Sequence, residues 1–144
     1  KTVIPDLDIF TSAVVTPTTR MHMHVLNIVV EKNVDREDVI RVLEDAPRIL
    51  VFSEKYDFKS TAALIEWARD IGRPRYDIYE VAVFGDSVTV INGNEIWMMY
   101  GVHQEAIVVP ENIDAIRAMF EIERDAFKSI EKTDNSLGVL RRWP

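Results

Sequence analysis

Between Met21 and Val102 the chain changes period repeatedly, with β-type runs giving way to capped helical stretches and back, and that order admits few folds. From Ile9 to Val30 the chain is rich in Val, Thr and Ile with a break at Pro17, and Met21 to Val30 reads as a buried strand. Alternation along it places Arg20, His22 and His24 on one face and Met21, Met23 and Val25 on the other. Asp35 is a good N-cap with Asp38 three residues on, followed by Val39, Val42, Leu43 and Ala46 at helical spacing and closed by Pro47. Arg48 to Ser53 predicts a short strand, and a second helix runs from a Ser60/Thr61 cap through Leu64, Ile65, Ala68 and Ile71 to Gly72 and Pro74. From Asp77 to Val102 the turn pairs Gly85-Asp86 and Asn92-Gly93 predict a three-stranded antiparallel meander, because both tolerate positive φ. Pro110 then opens one long helical pattern, with Ile113, Ile116, Phe120, Phe127 and Ile130 on a single face that needs an apolar partner. Two interleaved helices and about six strands predict an α+β class, a mixed and largely antiparallel sheet with helices packed on one face, the final helix standing apart.

The 144 residues suit one domain, and the apolar share of 47% is enough for a core. A net charge of −7, with no basic stripe interleaved with aromatics, disfavours nucleic acid and anionic membrane as partners. Without cysteine the chain itself holds no disulfide, thiolate metal site or thiol nucleophile. Apolar runs such as Ile107-Val108-Val109 are too short to span a bilayer, and the start Lys1-Thr2-Val3-Ile4-Pro5 lacks a signal peptide's apolar stretch. An intracellular, cytoplasmic protein is the expectation.

Among chemistry-bearing residues, His22 and His24 come first, since H-x-H on a strand aims two imidazoles at one side, as an acid/base or metal site requires. The plainer alternative is a pair of polar residues satisfied at the edge of a core. His103 follows the last strand beside Gln104 and Glu105, and completes a metal triad only if the strands are neighbours. Thr16-Pro17-Thr18-Thr19-Arg20 offers hydroxyls and a guanidinium suited to phosphate or carboxylate, against the plainer reading of a turn. Arg73-Pro74-Arg75 follows a helix end, where positive charge complements the macrodipole, and reads as structural. Glu44-Asp45 and Glu121/Glu123 lie in helical patterns and read as solvated faces. No phosphate loop, dinucleotide fingerprint, nucleophile elbow or H-E-x-x-H is present, so the chain has no self-contained catalytic motif.

Val3-Ile4-Pro5-Asp6-Leu7, Thr16-Pro17-Thr18-Thr19 with Met21-His22-Met23-His24, Leu43-Glu44-Asp45-Ala46-Pro47-Arg48-Ile49, Lys59-Ser60-Thr61-Ala62, and Ala68-Arg69-Asp70-Ile71-Gly72-Arg73-Pro74-Arg75, taken in order, resemble the archaeal phosphorylating glyceraldehyde-3-phosphate dehydrogenases. Val102-His103-Gln104-Glu105-Ala106, running into Val108-Val109-Pro110-Glu111-Asn112-Ile113, continues the similarity, which covers nearly the whole chain. The resemblance implies a catalytic-domain portion over residues 1–105 and, over 106–144, a C-terminal helix that returns to a Rossmann domain absent from this chain. The family's nucleophilic cysteine is then expected upstream of Lys1, and this chain alone is expected to be inactive.

The implied reaction converts glyceraldehyde 3-phosphate, inorganic phosphate and NAD(P)+ to 1,3-bisphosphoglycerate, in glycolysis or gluconeogenesis. Cysteine thiolate adds to the aldehyde, hydride passes to nicotinamide, and phosphate cleaves the thioester. The resemblance assigns the base that assists the cysteine to the Met-His-Met-His strand. His22 is favoured over His24 because it lies nearer Thr18-Thr19-Arg20. Gln104 is the side-chain amide expected at the nicotinamide carboxamide, which needs donor and acceptor together, and Glu105 is expected to be structural. The better-known bacterial and eukaryotic branch carries a phosphate-binding arginine where Val15 stands here, so Thr19 and Arg20 are the candidates for substrate phosphate. Further expectations are NAD or NADP as cofactor, a homotetramer, and no resident metal. Two other classes compete with this reading: a metal-binding module built on the histidines, and a non-catalytic interaction domain.

Overall fold

The computed structural model describes residues 4–17, 20–52, 54–56 and 58–142. The elements, in chain order, are β1 (His22–Val29), α1 (Arg36–Asp45), β2 (Ile49–Phe52), α2 (Thr61–Asp70), β3 (Val81–Phe84), β4 (Thr89–Ile91), β5 (Glu95–Val102), α3 (Gln104–Met119) and α4 (Ala126–Leu137), with 3-10 turns between some of them. The sheet runs β1-β5-β3-β2, and β4 also pairs with β5. Among the described residues β2 and β3 are the one parallel pair, and α2 supplies the crossover that parallel neighbours need. The α+β class and the mixed, largely antiparallel sheet are as expected.

The helices, however, divide between the two faces of the sheet instead of sharing one. Successive strand residues point to opposite faces. On one side Leu50, Phe52, Ala82 and Phe84 pack with Leu64, Trp67 and Ala68 of α2 and with Met21. On the other, Val51 and Val83 pack with Val39 of α1, backed by Ile40, Leu43, Ile49 and Val81. Periodicity reports that a helix has an apolar stripe but not which sheet face receives it.

The caps at Asp35 and Ser60 form as expected. Asp35 Oδ1 accepts from the Asp38 amide at 2.8 Å while Asp38 Oδ2 accepts from the Asp35 amide at 3.3 Å, a complete capping box. Ser60 Oγ accepts from the Ala63 amide. Asn92 and Gly93 both take positive φ, 54° and 77°, as a type I′ turn between β4 and β5 requires. Gly85-Asp86 behaves differently from the expected hairpin. It opens a 3-10 turn, Gly85–Ser87, after which β4 pairs with β5 and not with β3. Ser87 explains the diversion, because its hydroxyl donates to the Phe84 carbonyl at 2.6 Å and accepts the Met99 amide at 2.8 Å, pinning the turn against β5.

Two other expectations change. β1 is an edge strand that is largely exposed, with Met23 46% and Val25 67% accessible, where a buried strand was expected. The single long C-terminal helix is two helices. α3 begins six residues before Pro110, which sits inside it without an amide to donate. It ends at Phe120, where Glu121 turns to φ 53°, and Asp125 caps α4 by accepting the Lys128 amide at 3.1 Å.

Buried ions fasten these helices to the sheet. Arg48, 7% exposed, donates from Nε to Asp134 at 2.7 Å and from Nη1 to Glu111 at 2.6 Å, and its Nη2 reaches Asp114. Arg73 pairs with Glu80, whose Oε1 also accepts the Leu140 amide at 2.6 Å and so latches the segment after α4. Arg73 is therefore structural, as read from the sequence, but through a buried carboxylate and not through a helix dipole.

Candidate functional site

The site is assembled by one pairing. β1 and β5 run antiparallel with His22 opposite Val102 and His24 opposite Tyr100, so the start of β1 and the end of β5 meet at one end of the sheet. Both histidines project from the same face, their ring centroids 6.5 Å apart. His24 lies flat on Tyr100, 4.9 Å between centroids and 6° between planes, at the margin of the core that α1 covers. His22 is one step further toward Arg20. Both rings are exposed, as groups that meet a substrate must be.

Two residues past Val102, Gln104 opens α3 with an exposed side chain, and Glu105 follows it. The histidine pair and this amide are thus gathered at the same sheet end from positions some eighty residues apart. The Gln104 side chain there carries an amide donor and an amide acceptor, both open to solvent.

Arg20 departs from the expectation that it shares the histidine face. β1 begins only at His22, and Met21 turns into the core beneath α2. Arg20 follows that side: Nη1 donates to the Arg75 carbonyl at 2.9 Å, and its guanidinium stands 5.6 Å from the Tyr76 ring. With Pro17, Thr61, Ala62, Ile65, Glu66 and Tyr76 it lines a groove beside α2. Thr19, the other phosphate candidate, lies outside the described residues. Val15 is fully exposed, in a segment outside any helix or strand.

His103 was weighed as a third metal ligand, and its environment is of another kind. It is 3% exposed, its Nδ1 accepts the Ile78 amide at 3.2 Å, and its Nε2 is 3.7 Å from Glu105. Burial pushes its pKa below the ordinary histidine value; Asp77 and Glu105 oppose that, while Arg20 and Arg75 add to it. No cluster of three or more His, Asp or Glu side chains able to hold a metal occurs among the described residues, so the metal-module alternative lacks its third ligand there. Nor is any helix long and apolar enough to cross a membrane among them.

One participant escaped the sequence reading. Tyr100, which braces His24, carried no motif; the strand register that places it opposite His24 is not a local property. His103 was singled out from the sequence, but neither its burial nor its acceptor bond to Ile78 could be read there.

Comparison with known proteins adds an independent line. A family model described as glyceraldehyde 3-phosphate dehydrogenase, C-terminal domain, matches residues 1–82. Over 141 residues, 98% of this chain, it is 56% identical to the glyceraldehyde-3-phosphate dehydrogenase of Hyperthermus butylicus, covering 41% of that protein. The protein of the same name from Metallosphaera sedula is 56% identical over 96% of the chain and 40% of its own length. That from Methanocaldococcus jannaschii is 50% identical over 95% and 40%. The chain therefore spans about two fifths of the length of the curated relatives it matches.

Proposed function

The chain belongs to the family of glyceraldehyde 3-phosphate dehydrogenase C-terminal domains, and from that premise we propose that it is the catalytic-domain part of an NAD(P)-dependent, phosphorylating glyceraldehyde-3-phosphate dehydrogenase of archaeal type. The observation that carries the proposal is the β1–β5 register, which gathers the histidine pair and Gln104 at one end of the sheet. A base and an amide for the carboxamide are what this chain has to contribute, while the thiol and the dinucleotide-binding fold belong to sequence beyond it.

The nicotinamide, when bound, supplies the hydride acceptor, and Gln104 would hold its carboxamide. The chemistry left to this chain is proton transfer. Beside a thiol, an imidazolium at His22 would favour thiolate and give its proton to the alkoxide oxygen formed as that thiolate adds to the aldehyde; the neutral ring would then take the proton back from the hydroxyl oxygen as the carbon loses hydride. His22 is the preferred base because His24 is engaged face to face with Tyr100, which suits a supporting role. The substrate is glyceraldehyde 3-phosphate with inorganic phosphate, the product 1,3-bisphosphoglycerate, and the setting central carbohydrate metabolism in the cytoplasm. Of the two phosphate candidates, Arg20 is the one among the described residues, and a phosphate held there would sit in the groove beside α2, off the histidine face. We also assign residues 106–144 to contact with a Rossmann domain, and a homotetramer to the complete protein. The exposed apolar row on β1 and β5, including Val25 and Met99, supports the latter.

The test is kinetic, in the complete protein with its upstream half. NAD(P)-linked oxidation of glyceraldehyde 3-phosphate is expected, and His22→Ala should lower kcat by about 10²-fold or more, with His24→Ala costing less. A larger loss from His24→Ala would move the base by one step on the same face. Full activity in both variants would remove the strand from the mechanism.

A further inference from the structure

The seam where β5 becomes α3 holds one buried titratable side chain that the proposed mechanism does not use. His103 is the N-cap position of α3, and its carbonyl accepts the amides of Ala106 at 3.0 Å and Ile107 at 2.9 Å. Its side chain makes no cap bond of its own. The ring instead reaches across the sheet end to the segment ahead of β3, where Nδ1 accepts the Ile78 amide. Ile78 is fully buried in the core under α2, and Ala106, one turn into α3, is fully buried as well. The first turn of α3 is thus anchored on its inner side by Ala106 and by one imidazole, with Gln104 and Glu105 on its exposed side.

An imidazole accepts a hydrogen bond at Nδ1 only while that nitrogen carries no proton; with both nitrogens protonated the ring has donors alone. The Ile78 amide and a protonated Nδ1 would then face each other as two donors in a buried site, so the contact must open. Four charged groups surround the ring: Asp77 from the segment before β3, Glu105 from α3, Arg20 from ahead of β1, and Arg75 from the turn after α2. Only the two carboxylates would favour a charged ring. Arg75 donates from Nη2 to Asp77 at 2.6 Å, which occupies one of them.

We propose that His103 is a positioning residue for the cofactor-facing end of α3, its neutral ring holding the turn that presents Gln104 and its protonation releasing that turn. The inference rests on the reading of Gln104 as the group that meets the nicotinamide carboxamide. It makes cofactor affinity, and not the proton-transfer step, the quantity that falls on the acid side. Burial lowers the ring's proton affinity, so the turn is held at neutral pH and released only in acid.

Two substitutions in the complete enzyme test this. His103→Asn keeps an acceptor oxygen close to the Nδ1 position and cannot be protonated; His103→Phe keeps the bulk and has no acceptor. From about pH 7.5 down to about 4.5, a window that reaches well below the ordinary histidine pKa of about 6.5 as the buried ring requires, the wild-type KM for NAD(P)+ should rise several-fold. In His103→Asn it should stay flat while kcat keeps its wild-type acid limb. His103→Phe should show a raised cofactor KM throughout. Amide hydrogen exchange of the peptide covering residues 103–109, corrected for the intrinsic pH dependence, supplies a readout independent of activity. Its protection should fall in acid in the wild type and stay constant in His103→Asn. If His103→Phe does not fold, His103→Asn still decides. A His103→Asn enzyme that retains both the acid rise in KM and the acid loss of protection overturns the proposal. If the exchange behaves as expected while the cofactor KM is flat in the wild type, His103 holds the turn but Gln104 does not meet the cofactor, and the reading beneath the proposal is what fails.

Discussion

A single methyl group separates two glycines that a sequence reader would treat alike. A Cβ on Gly101 would stand 2.8 Å from Met21 Cε and 3.5 Å from Leu64 Cδ1, both flexible ends of side chains. A Cβ on Gly85 would stand 2.7 Å from the carbonyl oxygen of Phe52, which is backbone of the neighbouring parallel strand. Met21 can withdraw its methyl, whereas Phe52 cannot move without disturbing β2. Gly101→Ala should therefore cost about 1 kcal/mol and Gly85→Ala about 3 kcal/mol, the ends of the usual range for overpacking, read from urea or guanidinium melts of the two variants. Equal losses would mean that the β2–β3 backbone yields as readily as a methionine. The same scale shows what was legible at single positions. Asp35, Ser60 and Asn92-Gly93 were readable because cap and turn chemistry are local. The partners of Arg48 and His103 were not, because Asp134 and the Ile78 amide are supplied from far along the chain, and Arg73 meets Glu80, seven residues on, across a turn that no local pattern announces.

At the scale of elements, the docking of α3 and α4 depends on one arginine. Arg48 adopts φ 59°, in the left-handed region, at the entrance to β2, and that turn aims its guanidinium at three carboxylates from two helices. Burial works against the charge on Arg48, but the hydrogen bonds from Asp134, Glu111 and Asp114 overcome it and raise its pKa. Burial likewise works against ionised Asp114, yet the hydroxyls of Thr133 and Ser129, with Arg48, hold its carboxyl below the usual range. Arg48→Met would leave Asp134 buried without its cation and Asp114 with Arg117 alone, a loss of about 3 kcal/mol or more. The loss should appear first as cleavage by a protease in the turn between α3 and α4, at concentrations that leave the wild type intact. Uniform unfolding of the sheet together with the helices would instead show that the two units have no separate stability. This arrangement also explains why one long helix was expected here: Ile113, Ile116, Phe120, Phe127 and Ile130 keep a common period, while the interruption depends on Glu121 turning left-handed and on the Asp125 cap, two weak signals inside a strong one.

For the molecule as a whole, apolar surface lies where a self-sufficient domain would carry little. Around the turn between α3 and α4, Met119 is 79% exposed, Phe120 71%, Ile122 69% and Phe127 76%. Contiguous exposed patches of this kind mark contact surfaces, and the class assigned from periodicity had already left this helical face without a partner. Its geometry was not legible beforehand, since the sequence showed one stripe and the structure splits it around a turn. If the upstream Rossmann domain covers this surface, as proposed, the isolated chain should bind an apolar dye strongly and the complete protein weakly. Replacing Phe120 and Phe127 with Glu should then act in opposite directions in the two contexts. In the isolated chain both residues face water, so dye binding should fall with little change in Tm, as expected for substitutions away from a core. In the complete protein the same pair would place two carboxylates in an apolar contact and should lower Tm by several degrees, because burying unpaired charge is among the costliest single changes. A complete protein whose Tm is unaffected by the double substitution would place the α3–α4 turn in solvent and assign contact with the proposed Rossmann domain to another surface.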